Sequence, residues 1–165
     1  MAIDVEEFEF ESRAIDKVVA SLDLLISQRD GWANLLPGLD LDDADEFTSQ
    51  SGIFSMFGSR QPSSTMCTFV PPKMKGKSKE GVTLGILHPG PRLVVKRLKE
   101  KGLDLPKDWQ VRQDQAKRGL VLWIPLSSST ESMVVWAIRA GTMLCAEATT
   151  GTWKARIYHP VRSRA

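Results

Sequence analysis

The chain has 165 residues, enough for one domain with a real core, and its 42% hydrophobic and 25% charged shares are those of an ordinary soluble protein. Its longest apolar runs, such as GLVLWIPL (119–126), fall far short of the ~20 residues of a membrane span; the acidic start MAIDVEEFEFESR lacks the basic and apolar parts of a secretory signal, so an intracellular setting, cytoplasmic or nuclear, is expected. The formal net charge of +2 hides a division: residues 1–50 carry thirteen acidic and three basic side chains (−10), and residues 51–165 carry seven and nineteen (+12).

The pattern predicts one domain over 1–165. It comprises a helical N-terminal part (1–36), an acidic and Ser/Gly-rich irregular region (37–65) and an α+β core (66–165). Over 13–29, Ile15, Val18, Val19, Leu22, Leu25 and Ile26 recur at helical spacing and form one apolar stripe. Ser12 suits the N-cap and Gly31 the left-handed end, with an extension as far as Leu36 before Pro37-Gly38. In the irregular region, LDLDDADEF (39–47) is acidic, and Ile53, Phe54, Met56 and Phe57 make a short apolar knot suited to docking on the core or on another molecule.

MCTFV (66–70) and GVTLGILH (81–88) read as strands, with PPKMKGKSKEG (71–81) joining them as a lysine-rich loop. Pro91 and Gly102 frame a second helix over 91–101, with Arg92, Lys96 and Lys99 along one side and Arg97 and Lys101 next to it. LVLWIP reads as a strand buried on both faces. SMVVWAIR (132–139), TMLCAEA (142–148) and TWKARIY (152–158) then predict a C-terminal β-meander, although Ser128 and Glu131 form a capping box that would suit a helix over 129–140. Trp123 and Trp136 are assigned to the core, and Trp109, in the polar stretch LPKDWQVRQDQ, to the surface.

No motif specific to an enzyme is present: there is no G-x-S-x-G elbow, no H-E-x-x-H and no Walker A loop. His88 and His159 each precede a proline, and Cys67 and Cys145 are 78 positions apart in sequence, read as free structural thiols. The acidic run Asp40, Asp42, Asp43, Asp45 and Glu46 fails the EF-hand register, because Asp45 stands where that loop requires glycine. No metal and no cofactor is expected.

What remains is the basic set. Lys73, Lys75, Lys77 and Lys79 alternate along the loop, and Arg92, Lys96, Arg97, Lys99 and Lys101 crowd the second helix. In a strand over 152–158, Lys154, Arg156 and Tyr158 share one face and Trp153, Ala155 and Ile157 the other. Two cations beside a ring suit phosphate contact and base stacking. The reading is therefore an α+β domain whose N-terminal amphipathic helix packs on a mainly antiparallel sheet, with a second basic helix and a C-terminal β-meander. Its expected role is non-enzymatic binding of an anionic polymer, RNA or single-stranded DNA, through those twelve residues. The alternative is a structural, assembly or adaptor protein, as in a viral component. Its opposite charge patches would then bind another copy, a protein partner or, less favoured, an anionic membrane surface.

Overall fold

The alternation Glu7-Phe8-Glu9-Phe10-Glu11 makes the first element a strand, β1 (Ile3–Glu11), with its phenylalanines on one face and these three glutamates on the other. The structure, a computed structural model, describes residues 2–39, 64–73 and 80–161. After β1 come α1 (Asp16–Gln28), β2 (Trp32–Leu39), β3 (Met66–Val70), β4 (Gly81–Leu87), α2 (Val94–Glu100), β5 (Gln110–Gln115), β6 (Gly119–Pro125), α3 (Thr130–Leu144) and β7 (Thr149–Pro160). The seven strands form one antiparallel sheet in the order β1-β7-β2-β3-β4-β6-β5.

Strand registers define two faces. Ala155 of β7 lies between Phe8 of β1 and Leu35 of β2. Leu35 in turn faces Cys67, Cys67 faces Ile86, and Ile86 faces Leu120. This face carries the core and takes the helices. α3 crosses it closely: a Cβ on Gly141 would meet the Trp153 ring at 2.8 Å and Cys67 Sγ at 3.3 Å. Thr65 Oγ1 donates to the Gly141 carbonyl at 2.8 Å from the sheet side. α1 lies beside α3 and over β7, burying Val18, Leu22 and Leu25, while Lys17 reaches back to Glu6 and over the Phe8 ring. α2 buries Val94 and Leu98 in the same core, and Lys101 Nζ lies 3.5 Å from the Met143 carbonyl of α3.

The expected α+β class holds, with three helices among the described residues and an antiparallel sheet. Several elements differ from the sequence reading. The N-terminal element is a strand, not a helix, and α1 follows it. α1 starts after Ile15 without a side-chain cap, and it stops at Arg29, which itself takes the left-handed conformation (φ 55°). It does not run on to Leu36, since Trp32–Leu39 is β2. Gly31 (φ +79°) makes that turn, because a Cβ there would lie 2.2 Å from the Tyr158 carbonyl oxygen. α2 begins at Val94 rather than at Pro91, and the Asp114 carboxylate caps it from β5, accepting from Val94 N–H at 3.0 Å and Val95 N–H at 3.2 Å.

The C-terminal meander is replaced by one long helix and one long strand. In α3, Ser129 is the N-cap and its hydroxyl accepts the Ser132 N–H at 3.1 Å. Met133, Trp136, Ala137, Ala140, Gly141 and Leu144 then follow helical spacing and are all buried. Val134, Val135 and Ile138 cost the helix only a few tenths of a kcal/mol each, whereas burying each large apolar side chain contributes roughly 1.5–3 kcal/mol. Packing therefore overrides their strand preference. Trp109 is buried as well, edge-on to Trp136 at 5.4 Å with its indole N–H donating to Ser128 Oγ. Trp136 is in the core as expected; Trp123 is not, for β6 alternates between the two faces rather than being buried on both.

Candidate interaction surface

The second face of the sheet is covered by no described element. At its centre are two adjacent rows running across the strands. In one row Tyr158, Trp32, Val70, Thr83 and Trp123 succeed one another from β7 to β6; in the next come Arg156, Asn34, Thr68, Gly85 and Val121. A third contains Lys154, Leu36, Met66 and Leu87. Most of these side chains are half-buried, as neighbours along and across the strands shield their flanks but nothing described closes the top.

Trp32 and Tyr158 stack on each other, with ring centroids 4.6 Å apart and planes 10° from parallel. The Trp123 indole lies over Gly81, where a Cβ would meet it at 2.5 Å, and the Arg112 guanidinium sits 5.8 Å from its centroid. Asn34 and Thr68 are joined by a 2.9 Å side-chain hydrogen bond. Gly85 is different in kind: a Cβ there would meet nothing within 4 Å. The packing of the described residues does not demand glycine at this point, so among them Gly85 leaves a notch in the middle of the face. A glycine inside a strand fits a site that another backbone or side chain approaches closely.

The charges on this face are largely settled among themselves. Glu7 accepts from Arg156 Nε at 2.7 Å and pairs with Lys154 Nζ at 3.5 Å. The Arg156 hydrogen bond holds the Glu7 carboxyl below its usual range, against a smaller opposing effect of burial. Glu9 and Glu11 continue the acidic edge along β1, whereas Arg112, Lys117 and Arg118 give the β5–β6 side a basic edge. The face thus carries an aromatic row and an aliphatic row on either side of the more polar row with Asn34, Thr68 and Gly85, and is acidic at one edge and basic at the other.

Of the twelve expected site residues, the ones described do not share one surface. Lys154, Arg156 and Tyr158 share this open face, as their alternation predicts, with Trp153, Ala155 and Ile157 buried behind them. Arg92, Lys96, Arg97, Lys99 and Lys101 belong to the α2 segment, which packs on the opposite, helix-covered side. Lys73 follows β3, and Lys75, Lys77 and Lys79 lie outside the described residues, as do the acidic run 40–46, the knot 53–57 and the tail with Arg162 and Arg164. Both strands expected on either side of the lysine stretch are present, and they pair with each other, Met66 opposite Leu87 through Val70 opposite Thr83.

α2 does bring a charged cluster together behind it. His88 is 2% exposed, and its Nδ1 accepts the Gly90 N–H at 3.2 Å, which places the ring proton on Nε2, buried without a hydrogen-bond partner. Arg97 Nη1 is buried beside Gly90 in the same condition. Burial pushes the His88 pKa down; Asp114 opposes this and Arg97 adds to it, so the ring is neutral at pH 7. Burial likewise pushes the Cys67 thiol up to about 12, and its Sγ lies 3.5 Å from the Ala137 carbonyl. Cys145 Sγ is 3.8 Å from Ser64 Oγ. Among the described residues no three His, Cys, Asp or Glu side chains gather as metal ligands, and no described helix is long and apolar enough to cross a membrane.

Trp32, Gly85 and Trp123 are the residues of this surface that sequence reasoning passed over. β2 was hidden by the expected extension of α1, and in β6 an apolar run conceals that Val121 and Trp123 face away from the core. Comparison with known proteins finds no match to this chain, whether among protein families, curated proteins or solved structures.

Proposed function

We propose that this protein is a non-enzymatic interaction module that docks another protein chain on the open face of its sheet. The observation that carries this reading is the composition of that face: an aromatic row and an aliphatic row flanking a row with a glycine notch, across five strands and uncovered by any described element. Apolar surface of this kind is what protein interfaces bury at their centres, with charges kept to the rim. The non-enzymatic part rests on the thiols and on His88. Cys67 is kept protonated by burial, and His88 is a buried neutral ring beside Arg97 and Asp114, with no nucleophile bonded to it.

A second reading, RNA or single-stranded DNA, is favoured by one feature, the Trp32–Tyr158 stack beside Arg156 and Lys154. Stacking rings and cations are what single strands use. Against it stands the charge balance, because Glu7 already engages both cations and the α2 cations lie on the other side of the sheet. A fluorescence-anisotropy titration with a labelled oligothymidylate and an oligouridylate separates the two. Docking of protein predicts no saturable binding at about 150 mM salt, where non-specific phosphate attraction fades. Saturable binding that is lost in Trp32→Ala and in Arg156→Glu would overturn it in favour of nucleic acid.

A further inference from the structure

Resting on the protein-docking reading, we infer that the occupant of the open face is a second copy of this chain, packed face to face about a two-fold axis parallel to the strands over β3. The strand order makes β3 the middle strand. An axis along it exchanges β1 with β5, β7 with β6 and β2 with β4, and leaves each row of side chains facing the same row of the second copy. Tyr158 then meets Trp123 of the second copy, and Leu36 meets its Leu87. Asn34, with its bound Thr68, stands over the notch at Gly85. Ring therefore meets ring, aliphatic meets aliphatic, and a side chain meets a vacancy.

The rim selects this axis over its rival. With the axis along the strands, Glu9 and Glu11 at the β1 side lie over the Lys117–Arg118 turn at the β5 side of the other copy. An axis across the strands would instead place β1 on β1 and β5 on β5, opposing acidic side chains at one end of the interface and basic ones at the other. The separation of opposite charges to the two edges of one face is thus matched by its own two-fold image, the requirement of an isologous interface. Size agrees. Seven strands at ~4.8 Å spacing and three rows of open-face side chains, the charged rims included, cover about 30 by 20 Å, on the order of 600 Å² per partner, the lower end of the range for specific interfaces.

The test uses the full chain in a Cys145→Ser background, leaving only the buried Cys67. Sedimentation velocity from about 1 to 100 µM, the range in which an interface of this size forms, should show a monomer–dimer equilibrium, weakened at high salt. A short bismaleimide should link Met66→Cys to itself, since β3 lies on the axis. It should link Glu9→Cys to Lys117→Cys when the two are mixed, and neither to itself. Gly85→Glu should weaken dimerisation at least tenfold while leaving the circular dichroism unchanged, because the fold has room for a side chain there. A chain that stays monomeric at 100-fold dilution and concentration alike overturns the inference and leaves the face to residues 40–63 or to an unrelated protein. Self-linking of Glu9→Cys, or a dimer indifferent to Gly85→Glu, overturns it too. None of these outcomes touches the protein-docking reading itself, which falls on oligonucleotide binding.

Discussion

On the helix-covered face of the sheet Leu84, Leu122 and Ile157 are sealed from solvent, while one residue away on the same strands Thr83, Trp123 and Tyr158 stay half-buried. The chain supplies both faces with apolar and aromatic side chains, but it spends its three described helices on one of them. The covered face holds the domain together. The other, covered by no described element, carries the rings, the notch and the two charged edges on which the proposed docking rests. The described residues do not need a glycine at Gly85, and the edges of this face carry opposite charge; the proposed docking rests on both.

The largest effect that would break this comparison is on stability. Leu122→Ala, on the covered face, should cost about 2–5 kcal/mol of unfolding free energy, whereas Val121→Ala, its neighbour on the open face, should cost less than about 1 kcal/mol. Urea denaturation of the two variants, compared at unchanged slope, measures both. Equal losses would mean that the open face is covered in the monomer. Next in size, Asp114→Ala removes the carboxylate that caps α2 from β5 and should lower stability by about 1 kcal/mol without changing association.

How far all this could be read beforehand differs from element to element. α1, the strands either side of the lysine loop, α2 and the two faces of β7 follow from spacing, because each buries a continuous stripe or alternates cleanly. β1 was equally legible in Glu7-Phe8-Glu9-Phe10, but an acidic start was weighed for what it excluded and not for its period. α3 runs against strand propensity: Ser129 caps it, one residue after the Ser128 that the capping box suggests, and the helical spacing of the buried residues decides. The candidate surface was the least legible part. That Trp123 and Trp32 share a face with Tyr158, and that the α2 cations do not, depends on strand order, and pairing across β2–β7 and β4–β6 is non-local. Trp109 was placed outside on its polar neighbours alone, although its partners Trp136 and Ser128 come from later in the chain.

Smaller effects sharpen the same contrast through pH. His88, behind the covered face, has its pKa lowered from the ordinary 6.5. As the pH falls below 6.5 the unfolded chain takes up the proton first, so stability is full above that value and declines below it until the folded ring also titrates. His88→Asn should flatten that decline in denaturation curves recorded at successive pH values. Glu7, on the open face, has its pKa lowered by Arg156, so its contribution is present above the unfolded carboxyl value of 4.5 and is lost as the pH falls through the folded one. Glu7 is 45% exposed, so solvent screening keeps this below about 1 kcal/mol, and Glu7→Gln should change acid stability only slightly.

The most direct test places the same charge on opposite sides of the molecule. Val121→Glu puts a carboxylate on the open face, and Val135→Glu puts one on the exposed side of α3, where the valine is already 42% exposed. Sedimentation equilibrium of the full chain should give a dimer mass for the wild type and for Val135→Glu, and a monomer mass for Val121→Glu, with all three folded by circular dichroism. One mass shared by the two variants, whether dimer or monomer, would contradict the face-to-face dimer, since the open face would then have no role in self-association that the helix face lacks.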